Sequence, residues 1–211
     1  NAGKGRFTER GLTAGVAFND DGRALSSMGV DFRDMDGDGL PDLFVTALAN
    51  ETFPFYRNLG NGLFADRTYA TRLGAATMRF SGWGNGIYDF DNDGRADLFA
   101  ANGDVNDNSV VVTRLNEPAI LLRNVAKPTR WLGLRLVGTA SNRDAIGARV
   151  GVAGRWNHVS RSTGYASSSD PRLIFGLGAY ASADVEIIWP SGRVQKLSNL
   201  AGGRYHTIVE R

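Results

Sequence analysis

The chain has 211 residues, 42% hydrophobic and 22% charged, enough apolar material to bury one large core or two small ones and too much for bulk disorder. Glycine at 27 residues against 6 prolines signals many tight turns, the absence of cysteine excludes disulfide, thiolate-zinc and cysteine-nucleophile chemistry, and no apolar run approaches the roughly 20 residues of a membrane span. The formal charge of +2 hides an asymmetry: residues 1–130 carry 14 basic against 17 acidic side chains, whereas residues 131–211 carry 10 against 5.

Taken in chain order, the first element is a turn, Asn1-x-Gly3-x-Gly5-x-Phe7-x-Glu9, which recurs as Asn58, Gly60, Gly62, Phe64 and Asp66. A longer repeat follows at an offset of 55: Asp34, Asp36, Asp38, Gly39, Asp42, Leu43 and Phe44 return as Asp89, Asp91, Asp93, Gly94, Asp97, Leu98 and Phe99, and Gly29 returns as Gly84. Short strands are predicted over 42–48, 54–58 and 97–101, with no sustained helical period. A truncated third copy starts at Leu122-Arg123-Asn124. Units of four short strands repeating every ~40 to 60 residues point to blades of a β-propeller. Two blades do not close a ring, so closure is expected from further repeats of a parent chain or from a second copy. The opening inside a repeat also leads us to expect that Asn1 is not the biological N-terminus.

From about Trp131 the repeat disappears. Strands are predicted over 131–137, 146–152, 172–177, 185–189 and 205–209, punctuated by Gly138, Gly154, Gly164, Gly178 and Pro190-Ser191-Gly192. This spacing suggests a small β-sandwich. The expected organisation is all-β: partial propeller-type repeats over 1–126, a boundary at Lys127-Pro128-Thr129, and a sandwich over 127–211.

The chemistry-bearing pattern is D-x-D-x-D-G-x-x-D, present as Asp34–Asp42 and Asp89–Asp97. Four carboxylates within nine residues repel one another, and a bound cation relieves the repulsion. Calcium suits an all-oxygen donor set that lacks strict octahedral geometry, whereas magnesium prefers a smaller, stricter octahedron. By analogy with other calcium loops, Asp34, Asp36, Asp38 and Asp42 supply side-chain oxygens and Leu40 a backbone carbonyl. The second loop uses Asp89, Asp91, Asp93 and Asp97 with the Arg95 carbonyl. Gly39 and Gly94 permit the bend. An EF-hand requires a glutamate at position twelve, where Val45 and Ala100 stand. Two calcium ions per chain are expected, acting as structural stakes.

The aspartate loops followed by Leu-Phe and the Asn-x-Gly-x-Gly-x-Phe turns resemble the FG-GAP/VCBS repeats of integrin-like propellers. In the C-terminal part, Gly138–Val150, Gly164–Gly178 and Val185–Val194 resemble successive blocks of an ASPIC/UnbV domain. The combination is similar to the cartilage acidic protein family, including its bacterial members and those of enediyne clusters. The resemblance implies a calcium-binding protein that is secreted, extracellular or periplasmic. Three departures stand out: this chain holds two loops where the family's propeller has more repeats, relatives often carry Asn-Gly-His where this chain has Asn102-Gly103-Asp104, and no cysteine-rich module like that of animal members is seen in this sequence, so a bacterial member is expected.

No pattern requires an active site. His158 and His206 lack an evident serine-carboxylate partnership, Ser167-Ser168-Ser169-Asp170 before Pro171 reads as a turn, and Asn142-Arg143-Asp144 reads as a structural network. Nine arginines among residues 131–211 form no run or RNA-binding motif, so nucleic acid is not expected. Trp131 and Trp189 are expected in the core, and Asn50-Glu51-Thr52 is a formal glycosylation acceptor. The expected function is a binding or adhesion module for a protein or glycan partner. The alternative is an accessory protein or enzyme of a secondary-metabolite pathway, which would need Asp144 or Asp170 facing a pocket.

Overall fold

A computed structural model describes residues 3–103 and 117–211. Asn1 and Asp104, which figure in the sequence motifs, lie outside the described residues. The fold is all-β. Two short helices, α1 (Gly11–Ala14) and α2 (Leu73–Thr77), are the helical elements among the described residues.

The first repeat forms an antiparallel meander of β1 (Val30–Arg33), β2 (Asp42–Val45), β3 (Phe55–Gly60) and β4 (Leu63–Asp66). Each connection follows from turn chemistry. The Asp34–Pro41 loop joins β1 to β2, and Asn61 and Gly62, both at positive φ, close β3 onto β4. The second repeat supplies β5 (Gly82–Tyr88), β6 (Asp97–Asn102) and β7 (Ile120–Leu122). Strands β1 and β5 face each other, and Asp31 joins them by accepting the Ile87 N–H at 2.8 Å. The two repeat sheets share one core, in which Phe44 and Phe53 are fully buried and Ile87 and Leu98 nearly so. Burying side chains of this size contributes about 1.5–3 kcal/mol each.

A second core is built from β8 (Arg130–Val137), β9 (Arg149–Val152), β10 (Arg155–His158), β11 (Leu173–Gly178), β12 (Ser182–Ile188), β13 (Val194–Ala201) and β14 (Tyr205–Val209). One sheet runs β10-β9-β12-β13. The other runs β11-β8-β14, with β14 parallel to β8. Leu132, Leu134, Val150, Val152, Ile187 and Trp189 fill the space between them, the packing of a small sandwich. Trp189 is 1% exposed, as expected of a core residue. Trp131 is only half-buried and packs edge-on against Tyr205 at 5.3 Å.

The strand expected from residue 146 begins at Arg149. Asn142 closes a turn by accepting the Ile146 N–H at 2.8 Å and donating to the Ile146 carbonyl at 2.9 Å. Ala145 and Gly147, at φ 54° and 92°, complete the turn. Glu210 fastens the end of the chain to the same region. Its carboxylate accepts N–H bonds from Thr139, Ala140 and Ser141 at 2.8, 2.9 and 2.7 Å and hydroxyl bonds from Ser141 and Ser191.

Candidate functional site

Both aspartate loops fold the same way because each is cross-linked by its own carboxylates. Asp34 accepts from Gly37 N at 2.8 Å and Gly39 N at 3.0 Å, and Asp89 accepts from Asp93 N at 3.0 Å and Gly94 N at 2.8 Å. The last aspartate of each loop is buried at the start of a strand. Asp42 accepts from Met35 N and Asn58 N, and Asp97 from Phe90 N and Asn124 N. Asn58 and Asn124 thus hold equivalent places, although the second lies in the truncated third copy. Gly39 at φ +91° and Gly94 at φ +82° make the bend that a side chain would strain. At Gly94 the space is closed as well, since a Cβ would stand 2.9 Å from the Thr129 carbonyl.

These contacts bring three carboxylates together in each loop. One oxygen each from Asp34, Asp36 and Asp42 lies within 4.8 Å of the others, and Asp89, Asp91 and Asp97 repeat the arrangement. Each trio offers oxygen donors alone, and such a cluster can hold a metal ion. Asp38 and Asp93 stand at the rim of the clusters. Their Oδ1 atoms cap Leu40 N at 2.8 Å and Arg95 N at 2.9 Å.

Burial pushes the Asp42 carboxyl up to about 6 despite its two backbone N–H bonds. Burial likewise raises Asp34 and Asp89 above the usual carboxylate range. A buried acid without a compensating cation is held toward its neutral form, and a cation reverses that.

Two arginines that sequence reasoning missed share the task. Arg57 reaches Asp36 at 2.6 Å and Asp38 at 3.1 Å, and Arg123 reaches Asp91 at 2.5 Å and Asp93 at 3.5 Å. Each directly precedes the asparagine that caps the buried aspartate. The signal was present as Arg57-Asn58 and Arg123-Asn124 in the repeated turn.

Of the remaining candidates, Asp170 lines one cleft with Asp34, Asp36, Asp38 and Asp89. His158 is exposed on β10, and the His206 ring meets the Ala201 carbonyl at 2.8 Å. Ser167 donates to the Tyr165 carbonyl within its own turn. Asp144 pairs with Arg161 at 3.3 Å on the surface. Asp170 pairs with Arg172 at 2.5 Å. Burial opposes ionisation of Asp170, but the Arg172 hydrogen bonds prevail and hold its carboxyl below the usual range. Among the described residues no helix is long and apolar enough to cross a membrane.

Comparison with known proteins finds two separate matches along the chain. Residues 34–100 match the model of an FG-GAP-like repeat, and residues 138–211 match that of the ASPIC and UnbV family. Cartilage acidic protein 1 of Homo sapiens is 27% identical over 135 residues, which cover 61% of this chain and 19% of that protein. The chain therefore spans about a fifth of the length of this relative. It matches an FG-GAP-like repeat and, further along, the ASPIC and UnbV family, and it is distantly similar to cartilage acidic protein 1.

Proposed function

We propose that the chain is a calcium-staked binding module working outside the cell or in the cell envelope, with a protein or glycan as partner. Asp34, Asp36, Asp38, the Leu40 carbonyl and Asp42 hold one ion. Asp89, Asp91, Asp93, the Arg95 carbonyl and Asp97 hold the second. The observation that carries this reading is the recurrence of one carboxylate geometry in two loops 55 residues apart. Oxygen-only donors suit calcium better than magnesium or zinc. The ions are structural in this reading, since each fixes the loop between two paired strands. At the millimolar calcium of extracellular fluid even a weak site is filled.

The working organisation is a repeat unit over 1–126 and a sandwich unit over 127–211, with further repeats of a parent chain or a second copy completing the blades. For the alternative, an enzyme or pathway accessory role, Asp144 is exposed and paired with Arg161, whereas Asp170 lines the cleft beside the Asp34–Asp42 loop, with its carboxylate paired to Arg172.

Thermal unfolding after chelation, then with calcium or magnesium restored, tests the reading together with the metal stoichiometry. A rise in Tm specific to calcium at two ions per chain is expected. Asp36→Ala and Asp91→Ala should each remove part of that rise. An equal rise with either ion, or none, overturns the assignment.

A further inference from the structure

In the first aspartate loop each of the eight carboxylate oxygens accepts a hydrogen bond from the protein. Six of the donors are backbone N–H groups: Gly37 and Gly39 donate to Asp34, Asp38 to Asp36, Leu40 to Asp38, and Met35 and Asn58 to Asp42. The other two belong to Arg57, whose Nε donates to Asp36 Oδ2 at 2.6 Å and whose Nη2 donates to Asp38 Oδ2 at 3.1 Å. The second loop repeats this division. Backbone N–H groups serve Asp89, Asp97 and the Oδ1 of Asp93, and Arg123 takes Asp91 Oδ2 at 2.5 Å and Asp93 Oδ2 at 3.5 Å.

The two kinds of donor act differently on an incoming cation. A backbone N–H carries no net charge, and the oxygen that accepts it keeps a further lone pair for a metal. A guanidinium places a full positive charge on two carboxylates of the loop, and it repels a dication held by the same groups. Asp36 belongs to the trio whose oxygens converge, and Asp91 holds the same place in the second loop. Arg57 and Arg123 therefore sit on the metal-facing carboxylates themselves. They are also the donors that can leave without moving the loop backbone, since their side chains are 41% and 61% exposed. The recurrence of one arginine on the same two aspartates in both loops separates these contacts from an incidental surface ion pair.

We propose that Arg57 and Arg123 are resident counter-ions that set the cation affinity of the two loops. Each keeps its loop folded when no metal is bound, and a metal ion must displace it from Asp36 and Asp38, or from Asp91 and Asp93. The proposal deepens the calcium reading of the loops and rests on it. Without metal, the guanidinium lowers the mutual repulsion of the four carboxylates. On binding, the freed guanidinium turns to solvent, so that the loop exchanges one counter-ion for another instead of folding from a disordered state. Because the pairs are exposed and screened, the effect is moderate, roughly threefold to tenfold in affinity per loop.

The test is calorimetric titration of the full chain with calcium, after the chelator has been dialysed away, together with Tm in chelator. It is run on the natural chain, Arg57→Gln and Arg123→Gln. Glutamine keeps a donor without the charge, and the exposure of both side chains makes the variants safe for folding. The natural chain should take up two ions. Each variant should bind calcium roughly threefold to tenfold more tightly at one of its two sites and melt at a lower temperature in chelator. Its calcium-induced rise in Tm should therefore exceed that of the natural chain. A merely structural arginine does not give these opposite signs, because its loss weakens the loop with and without the ion. Calcium affinity that is unchanged or weaker in either variant overturns the proposal and leaves the ions in place, and so does a Tm in chelator that does not fall. No calcium uptake by any of the three proteins overturns the reading of the loops and the proposal with it.

Discussion

At the scale of single residues, Glu210 shows hydrogen bonding prevailing over burial. Burial of its side chain opposes ionisation, but hydrogen bonds from Ser191, Ser141 and Thr139 hold its carboxyl down to about 2. A folded-state acidity this far below the unfolded value stabilises the protein above the ordinary glutamate range. That stabilisation is lost as pH falls from about 4.5 through about 2. Tm measured between pH 7 and pH 2 should therefore drop more steeply for the natural chain than for Glu210→Gln. Parallel curves would mean that the network does not depend on the charge. Glu210 was not legible in the sequence, because its backbone donors lie 69 to 71 residues away, Ser191 lies 19 away, and none shares a local pattern with it. Asp34 and Asp42 were legible for the opposite reason: a nine-residue loop fixes its carboxylates by local spacing alone. Arg57 falls between the two cases. It lies 21 residues from Asp36, yet it sits in a turn whose repetition was already visible.

Among the elements, β1 and β5 depend on one buried ion pair. Asp31 and Arg33 are 5% and 8% exposed and meet at 3.2 Å. Arg33 also donates to the Tyr88 hydroxyl at 3.1 Å and lies over the Tyr88 ring at 4.6 Å. Asp31 thus binds the arginine on its own strand and the Ile87 N–H on the next repeat. Asp31→Ala leaves the guanidinium buried and unpaired, a loss of about 3–5 kcal/mol. Removing both charges in Asp31→Leu/Arg33→Met should restore much of it, because the desolvation cost disappears with the pair. Urea unfolding of the three proteins in calcium checks this, and a double variant no better than the single one would show that packing of Arg33, not its charge, joins the strands. The strands themselves were readable where one face is apolar, as in β2, β8 and β12. The edge strands β10 and β13 were not, since Arg155–His158 and Val194–Ala201 are largely polar or exposed and take their conformation from pairing with β9 and β12.

For the whole molecule, the two cores share no residue, and their connection runs through backbone, glycine and a few side chains such as Tyr205, whose hydroxyl donates to Asn92 Oδ1 at 3.2 Å. The 160–170 loop of the C-terminal part reaches the gap between β1 and β5. Gly164 N donates to the Val30 carbonyl at 3.1 Å, and Tyr165 stacks against Trp83 at 5.0 Å. A Cβ at Gly29 would stand 3.1 Å from Tyr165 N, and one at Gly84 would run into the Ser167 hydroxyl. The repeated glycine of the two copies therefore has a concrete use: at Gly29 it admits first the Trp83 carbonyl of β5 and then the loop, and at Gly84 the loop itself. Sequence alone showed the repetition but not the visitor, because Gly164 lies 80 residues from Gly84 and 135 from Gly29. Gly164 adds backbone strain to a close approach, at φ +66° with a Cβ that would stand 2.7 Å from Asn85 N. Gly164→Ala combines left-handed strain with a backbone clash, and overpacking of this kind costs about 1–3 kcal/mol. We expect the loss to be local. Hydrogen exchange should speed up in residues 160–170 and at the facing segments of β1 and β5, while the amides of β8, β9 and β12 keep their protection. Faster exchange throughout the sandwich would instead mean that docking on the repeats holds the C-terminal core together, and that the two units fold as one.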